Sequence, residues 1–129
     1  MRVVPHDEVD QKVVEMPGAT GCQVRQLIGE KDGAKNFSMR QFEVEEGGHT
    51  PRHSHPYEHE IFVLAGLGVA VDGDQEREIE AGDVIYVAPN DVHQFINTGD
   101  GPLSFLCLIP NSAKGMPITQ QPECGEVGE

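Results

Sequence analysis

Four of the chain's six histidines are spaced so that they could share one ion. His53 and His55 are two apart, so on a strand they face the same way. His59 lies four beyond His55 and keeps that parity, whereas Glu60 has the opposite parity. His93 belongs to a separate stretch that a hairpin and one further strand could bring alongside. Neutral imidazole is a good ligand for Mn, Fe, Co, Ni, Cu and Zn. Four neutral ligands leave the charge of the ion uncancelled, which favours an anionic ligand or a water that readily loses a proton. Ligands on adjacent corners of an octahedron leave two neighbouring positions for water, oxygen or a chelating substrate. An H-x-H pair alone is a weak signal; the third and fourth histidines give it weight. His6 and His49 do not join the pattern. His49 shares parity with His53, at most at a pocket mouth, and reads more simply as a solvent histidine.

Short strands must position these rings. Gln23 to Ile28 reads as a strand leading to a turn at Lys31-Asp32-Gly33. Phe37 to Val44 follows, with Arg40, Phe42 and Val44 on one face, and Gly47-Gly48 is expected to end it. His59 to Ala65, Gly68 to Asp72 and Glu76 to Glu80 come next, the last two flanking a hairpin turn at Asp72-Gly73-Asp74. Asp83 to Val87, Val92 to Ile96 and Leu103 to Ile109 complete the series. Roughly nine to eleven short strands with frequent turn signals describe a sandwich or a closed barrel. No stretch carries a long apolar stripe of helical period.

Composition sets the outer limits. A chain of 129 residues fits one domain and can bury a core without disulfides. Fifteen glycines and nine prolines favour turns over long helices. With 22 acidic residues against 9 basic ones, the basic footprint that nucleic acid or an anionic membrane demands is missing. Cys22, Cys107 and Cys124 are scattered and odd in number, so neither a disulfide framework nor a zinc ribbon is indicated. The first residues lack the apolar run of a signal peptide, and the run Ile61 to Ala65 is too short to span a bilayer. A cytoplasmic, reducing location is the default expectation.

The residues then resemble a family. Cupins carry a first motif of Gly, five residues, His-x-His, three or four residues, Glu, six residues, Gly. Gly47, His53, His55 and Gly66 keep that spacing, with His59 where the metal-binding Glu usually stands. The second motif runs Gly, five residues, Pro-x-Gly, two residues, His, three residues, Asn. Gly82, His93 and Asn97 match it, but Ala88 and Asn90 replace the Pro and Gly, and Pro89 is displaced by one. The run from Arg52 to Leu64, together with Phe105 to Pro110, resembles small four-histidine cupins that bind manganese. The likeness covers about residues 24 to 110. It implies an all-β, single-domain cupin, a double-stranded β-helix or jelly-roll barrel over 23–112. N-terminal strands in 1–22 would pack on the barrel or on a dimer partner, and 113–129 would form an acidic, mobile tail. The resemblance also implies one divalent metal per chain on His53, His55, His59 and His93, with Mn favoured, then Fe, Zn or Ni. A four-residue spacer would make Glu60 the carboxylate ligand instead, but Gly66 would then fall one residue short and strand parity would break.

By the same likeness Phe105, Cys107 and Ile109 face the lumen rather than Leu106 and Leu108. Arg40, if inward, could anchor a substrate carboxylate; as a rim arginine it would pair with surface acids. Cys107 reads as a second-layer or redox-sensitive thiol, or as a small buried hydrophobe. Tyr57 lies between ligands and could reach a bound oxygen or simply pack. Arg40, Phe105, Cys107 and Ile109 are thus the expected pocket, and Arg40, Tyr57 and Cys107 the catalytic candidates. Asn97 is expected to brace the His93 strand. The leading functional expectation is a metal-dependent, dioxygenase-like oxidoreductase acting on a small, anionic organic substrate. Metal-assisted isomerase or lyase chemistry and a non-enzymatic sensing barrel are the alternatives. A homodimer is expected, with Val3-Val4 and Val13-Val14 available to pair with a partner or to close the chain's own barrel.

Overall fold

A computed structural model describes residues 1–122. Eleven strands and three short 3-10 turns make up the regular structure of those residues. In chain order the strands are β1 Gln11–Val13, β2 Thr20–Ile28, β3 Phe37–His49, β4 His53–Ser54, β5 His59–Ala65, β6 Leu67–Asp72, β7 Gln75–Glu80, β8 Val84–Val87, β9 His93–Asn97, β10 Leu103–Pro110 and β11 Thr119–Gln120. All pairings are antiparallel. One layer runs β1-β2-β3-β10-β5-β8 and the other β7-β6-β9-β4-β11. They join where His49, at the end of β3, pairs with Ile96 of β9. The chain is therefore an all-β, single-domain jelly-roll barrel.

Gly47-Gly48 does not end β3, contrary to the sequence reading. The strand continues through it to His49, with Gly47 in the left-handed region at φ 74°. Gly48 has backbone against it: a Cβ there would meet the Thr20 carbonyl oxygen at 2.5 Å. Such a glycine bends a strand without stopping it. The extension is what lets β3 serve both layers.

The N-terminal strand β1 pairs with β2 of its own chain, Lys12 opposite Val24. His6, in the turn before it, donates from Nδ1 to the Gln41 side chain at 2.8 Å. Val3 and Val4 are exposed and outside any strand. At the other end, Thr119 and Gln120 pair with Ser54 and His53. The rest of the acidic tail, 123–129 with Cys124, lies outside the described residues. Cys22 and Cys107 are both free thiols.

The strands that carry the site also carry the core, by alternation. Along β3 the inward positions are Arg40, Phe42 and Val44; along β5 they are His59, Ile61 and Val63. On β9 they are His93, Phe95 and Asn97; on β10, Leu103, Phe105 and Cys107. One end of the barrel is closed by Val44, Val63 and Leu103, each at 0% exposure. The other end holds the histidines. Asn97 braces the closed end: its amide donates to the Val44 and Gly101 carbonyls at 2.9 and 2.8 Å.

Candidate metal centre

Strand pairing brings the distant histidines together. His53 and His93 are direct Cα partners across β4 and β9. His55 and His59 flank the Pro56-Tyr57-Glu58 turn. His55 and His93 each contact the other three rings, with centroids 4.6–5.1 Å apart. All four side chains are buried, between 3% and 9% exposed. The ligand nitrogens of His53, His55 and His93 lie within 4.8 Å of one another. His59 adjoins this trio, its Nε2 2.9 Å from His55 Nε2 and its Nδ1 3.1 Å from Cys107 Sγ.

Backbone carbonyls fix two of the tautomers. His55 Nδ1 donates to the Tyr57 carbonyl at 2.8 Å, and His93 Nδ1 donates to the Asp91 carbonyl at 2.9 Å. A carbonyl only accepts, so both rings carry their proton on Nδ1 and present a bare lone pair at Nε2. The Tyr57 ring also stacks flat on His55, centroids 3.8 Å apart at 6°.

Burial holds these imidazoles neutral. Desolvation first, then repulsion from His93, His55 and Arg40, lowers the His53 pKa to about 3. His55 is lowered to about 4, again chiefly by burial and then by His93. His59 and His93 are lowered as well, both mainly by desolvation. Two buried ring nitrogens, His53 Nδ1 and His93 Nε2, have no hydrogen-bond partner. His93 Nε2 is thus an orphaned buried acceptor, which is costly, and ring nitrogens clustered this closely suit a cation. Nitrogens sharing an ion at about 2.1 Å sit roughly 3 Å apart when they are neighbours at right angles. The His55–His59 separation of 2.9 Å matches that spacing. The donor set fits a divalent transition metal.

The cavity in front of the rings is lined mostly by carbon. Phe42, Phe95 and Phe105 form one wall, with Phe105 centred 5.5 Å from Phe42 and 5.2 Å from Phe95. Its volume is about 80 Å³. By the same measure one water needs roughly 10–15 Å³, so there is room for a handful of waters or a small organic group. Of the expected pocket residues Arg40, Phe105 and Cys107 line it, and the catalytic candidate Tyr57 lines it too. Ile109 does not: it packs half-buried against the core beside the cavity without lining it. Glu60 points to the outer face, exposed opposite Tyr86 and Leu108, and the third ring rather than this carboxylate faces the cluster.

Several lining residues were missed in the sequence. Val14 and Met16 of the N-terminal segment and the buried Cys22 of β2 also line the cavity. Val14 is held there by its N–H, which donates to the Cys22 carbonyl at 2.9 Å. No local pattern marks Val14 or Met16, because they follow β1 in an irregular link. Phe95 did carry a signal: it lies two after His93 and shares its parity. His49 is half-buried and packs beside Gln94 and Thr50, outside the cavity lining.

The second-motif substitution is resolved by the backbone. Asn90, where cupins usually have glycine, takes the left-handed conformation at φ 70°. Asparagine tolerates that region better than other side chains. Its N–H donates to the His55 carbonyl at 2.7 Å, so the turn grips the loop that carries His55 directly.

Fold and site together define a small β-barrel with a buried imidazole cluster suited to a metal ion. The chain belongs to the cupin family: the cupin domain model matches residues 40–109. It resembles the solved polyketide cyclase RemF from Streptomyces resistomycificus, with 32% identity, coverage of 95% of this chain and 87% of that one, and a TM-score of 0.88. A 1-methylthio-D-xylulose 5-phosphate methylsulfurylase from Rhodospirillum rubrum is 31% identical over 85 residues, 66% of this chain and 54% of that protein. An oxalate-binding protein from Thermotoga maritima is 40% identical over 58 residues, 44% of this chain and 48% of that protein. The chain spans about half the length of these two curated relatives. No helix among the described residues is long and apolar enough to cross a membrane.

Proposed function

We propose that this protein is a metal-dependent enzyme that promotes ring closure or isomerisation of a small polycarbonyl compound, without net redox change. One observation carries the reading: neutral imidazoles, two of them tautomer-fixed, converge on a cavity walled by three phenylalanines. Likeness to a polyketide cyclase over 95% of the chain supports it. The assigned ligand set is His53, His55, His59 and His93. A divalent ion held there supplies Lewis-acid polarisation of a carbonyl oxygen.

The remaining work belongs to the chain. Phe42, Phe95 and Phe105 exclude water and offer flat faces to a conjugated substrate. Burial raises the Tyr57 pKa, so its phenol stays protonated and can donate to a substrate oxygen. Among the described residues no carboxylate lines the cavity. A carbon between two carbonyls gives up its proton without a strong base, which is why this wall composition suits a polycarbonyl better than an unactivated substrate.

A dioxygenase-like reaction is the second reading, favoured by the resemblance to manganese-binding four-histidine cupins. One experiment separates the two. Protein loaded with Zn, kept free of oxygen, is given a short synthetic poly-β-ketone, and cyclised product is followed by mass spectrometry. Product above the protein-free rate is the expected result. Product formed only with Mn or Fe and with matching oxygen uptake would overturn the non-redox reading. A homodimer in a cytoplasmic setting is part of the same proposal.

A further inference from the structure

Among the described residues Arg40 is the one formally charged side chain lining the cavity, and none of them supplies it a counter-ion. The ion pairs among the described residues are Arg2–Asp32 and Arg77–Asp72. Arg40 makes none, although the chain has 22 acidic residues to 9 basic ones. Scarcity of carboxylates therefore does not explain its isolation. Its guanidinium carbon lies 4.8 Å from the centre of the Phe42 ring. Its Nη2 donates to Cys107 Sγ at 3.2 Å, a weak and uncharged acceptor whose thiol burial keeps protonated. Its Nε is buried with no hydrogen-bond partner. A guanidinium has five donors in a planar fork built for a two-oxygen anion. Here the fork lies over the Phe42 ring, lines the cavity, and has a thiol but no oxyanion as partner.

The electrostatics point the same way. Arg40 stands among imidazoles that burial keeps neutral, so nothing in the lining offsets its charge. Its field reaches the rings, being one cause of the lowered pKa values of His53, His55 and His59. The same repulsion must act on any metal ion. A cation retained next to a metal site, at a cost to metal binding, needs another use.

We propose that Arg40 is a specificity-determining residue that selects substrates carrying a resonance-stabilised oxyanion, a carboxylate or an enolate. This rests on the reading of the site as a metal-dependent enzyme centre and names the class of group the substrate presents. The anion lies between the imidazole cluster and the guanidinium, and the neutral part of the substrate lies along the phenylalanine wall.

Calorimetry on the metal-loaded protein tests this with three probes: oxalate, 2,4-pentanedione and the neutral acetamide. Zn binding to the metal-free protein is measured in parallel. For Arg40→Gln, affinity for oxalate, and for 2,4-pentanedione bound as its enolate, should fall by about ten- to hundredfold, the worth of a charge-assisted bond. Acetamide binding should not change, and Zn affinity should stay equal or rise. A purely structural arginine would not give that crossed result. If the glutamine variant does not fold, Arg40→Lys serves: it keeps the charge without the fork and should bind anions at intermediate strength. Unchanged anion affinity in the variants, or parallel loss of Zn and anion binding, overturns the assignment. Whether oxalate or 2,4-pentanedione binds tighter tells carboxylate from enolate. Anion selectivity without ring closure ends the cyclase reading alone; ring closure unaffected by Arg40→Gln ends the Arg40 assignment alone.

Discussion

The two ends of this barrel are built from the same strands yet do opposite things. Following β3, β5, β9 and β10 from one end to the other, Val44, Val63, Asn97 and Leu103 give way to Arg40, His59, His93 and Cys107. The closed end is dry and tight. A Cβ on Gly68 would meet the Ile96 carbonyl oxygen at 2.6 Å and a Leu103 methyl at 2.9 Å. The histidine end buries orphaned nitrogens and a guanidinium without a counter-ion. Burial without satisfied partners lowers stability, and only a well-packed neighbour can offset it. The comparison teaches that the apolar end supplies the rigidity that lets the polar end stay unsatisfied until a ligand arrives.

Four measurements can break or sharpen that contrast. The largest effect should come from His93→Ala, which removes one of the two rings that contact the other three histidines. Metal binding, followed by elemental analysis and calorimetry, should be lost while the metal-free fold melts within about 1 kcal/mol of the parent, since a costly orphan nitrogen goes with it. Retained metal at full stoichiometry would show that the cluster does not act as a unit.

Leu103→Ala is the mirror experiment. This fully buried side chain packs at the closed end, so truncation should cost about 2–5 kcal/mol in denaturant unfolding. The folded fraction should still bind one metal. A small loss would mean the closed end is not the stabilising half.

Acid should act through the histidine end. Buried imidazoles with pKa values of about 3 and 4 refuse protons that the unfolded chain accepts below its ordinary value near 6.5. The unfolded state then binds more protons, so the metal-free protein loses stability as pH falls from about 6.5 toward 3. The slope is at most about 1.4 kcal/mol per pH unit for each such ring, less where solvent screens it. Bound metal should raise the whole profile and carry its slope below about pH 4, because the folded chain then takes up no protons at the ligated nitrogens. Urea midpoints measured across that range, with and without Zn, provide the check; a flat metal-free profile would contradict the burial of the rings.

The smallest effect is expected for Glu60→Gln on the outer face. Burial first, and then the neighbouring Glu58, raises the Glu60 pKa to about 7, but the side chain is exposed and faces away from the cluster. Stability should stay within about 0.5 kcal/mol and metal affinity should not change. A loss of metal would revive the carboxylate ligand that the parity of β5 argues against.

Much of the site was legible because strands have a period of two. His53, His55 and His59 could be grouped, Glu60 set outside, and Arg40 placed with Phe42 and Val44 from parity alone. Ile109 shows where parity stops helping. It shares a face with Cys107, but where along a strand a cavity ends is set by the strands packed across from it. The continuation of β3 through Gly47-Gly48 was illegible for a related reason. Glycine marks a break or a bulge equally well, and the carbonyl of Thr20, on another strand, decides which.

Residue types and short-range periodicity, then, were enough to indicate an all-β sandwich or closed barrel with His53, His55 and His59 on one face, since alternation is a local property of the chain. Which rings meet, which nitrogen each one presents, and how Arg40 comes to face a cavity without a counter-ion were decided only by tertiary packing. Those outcomes depend on carbonyls and side chains from distant strands, whose positions no local stretch encodes.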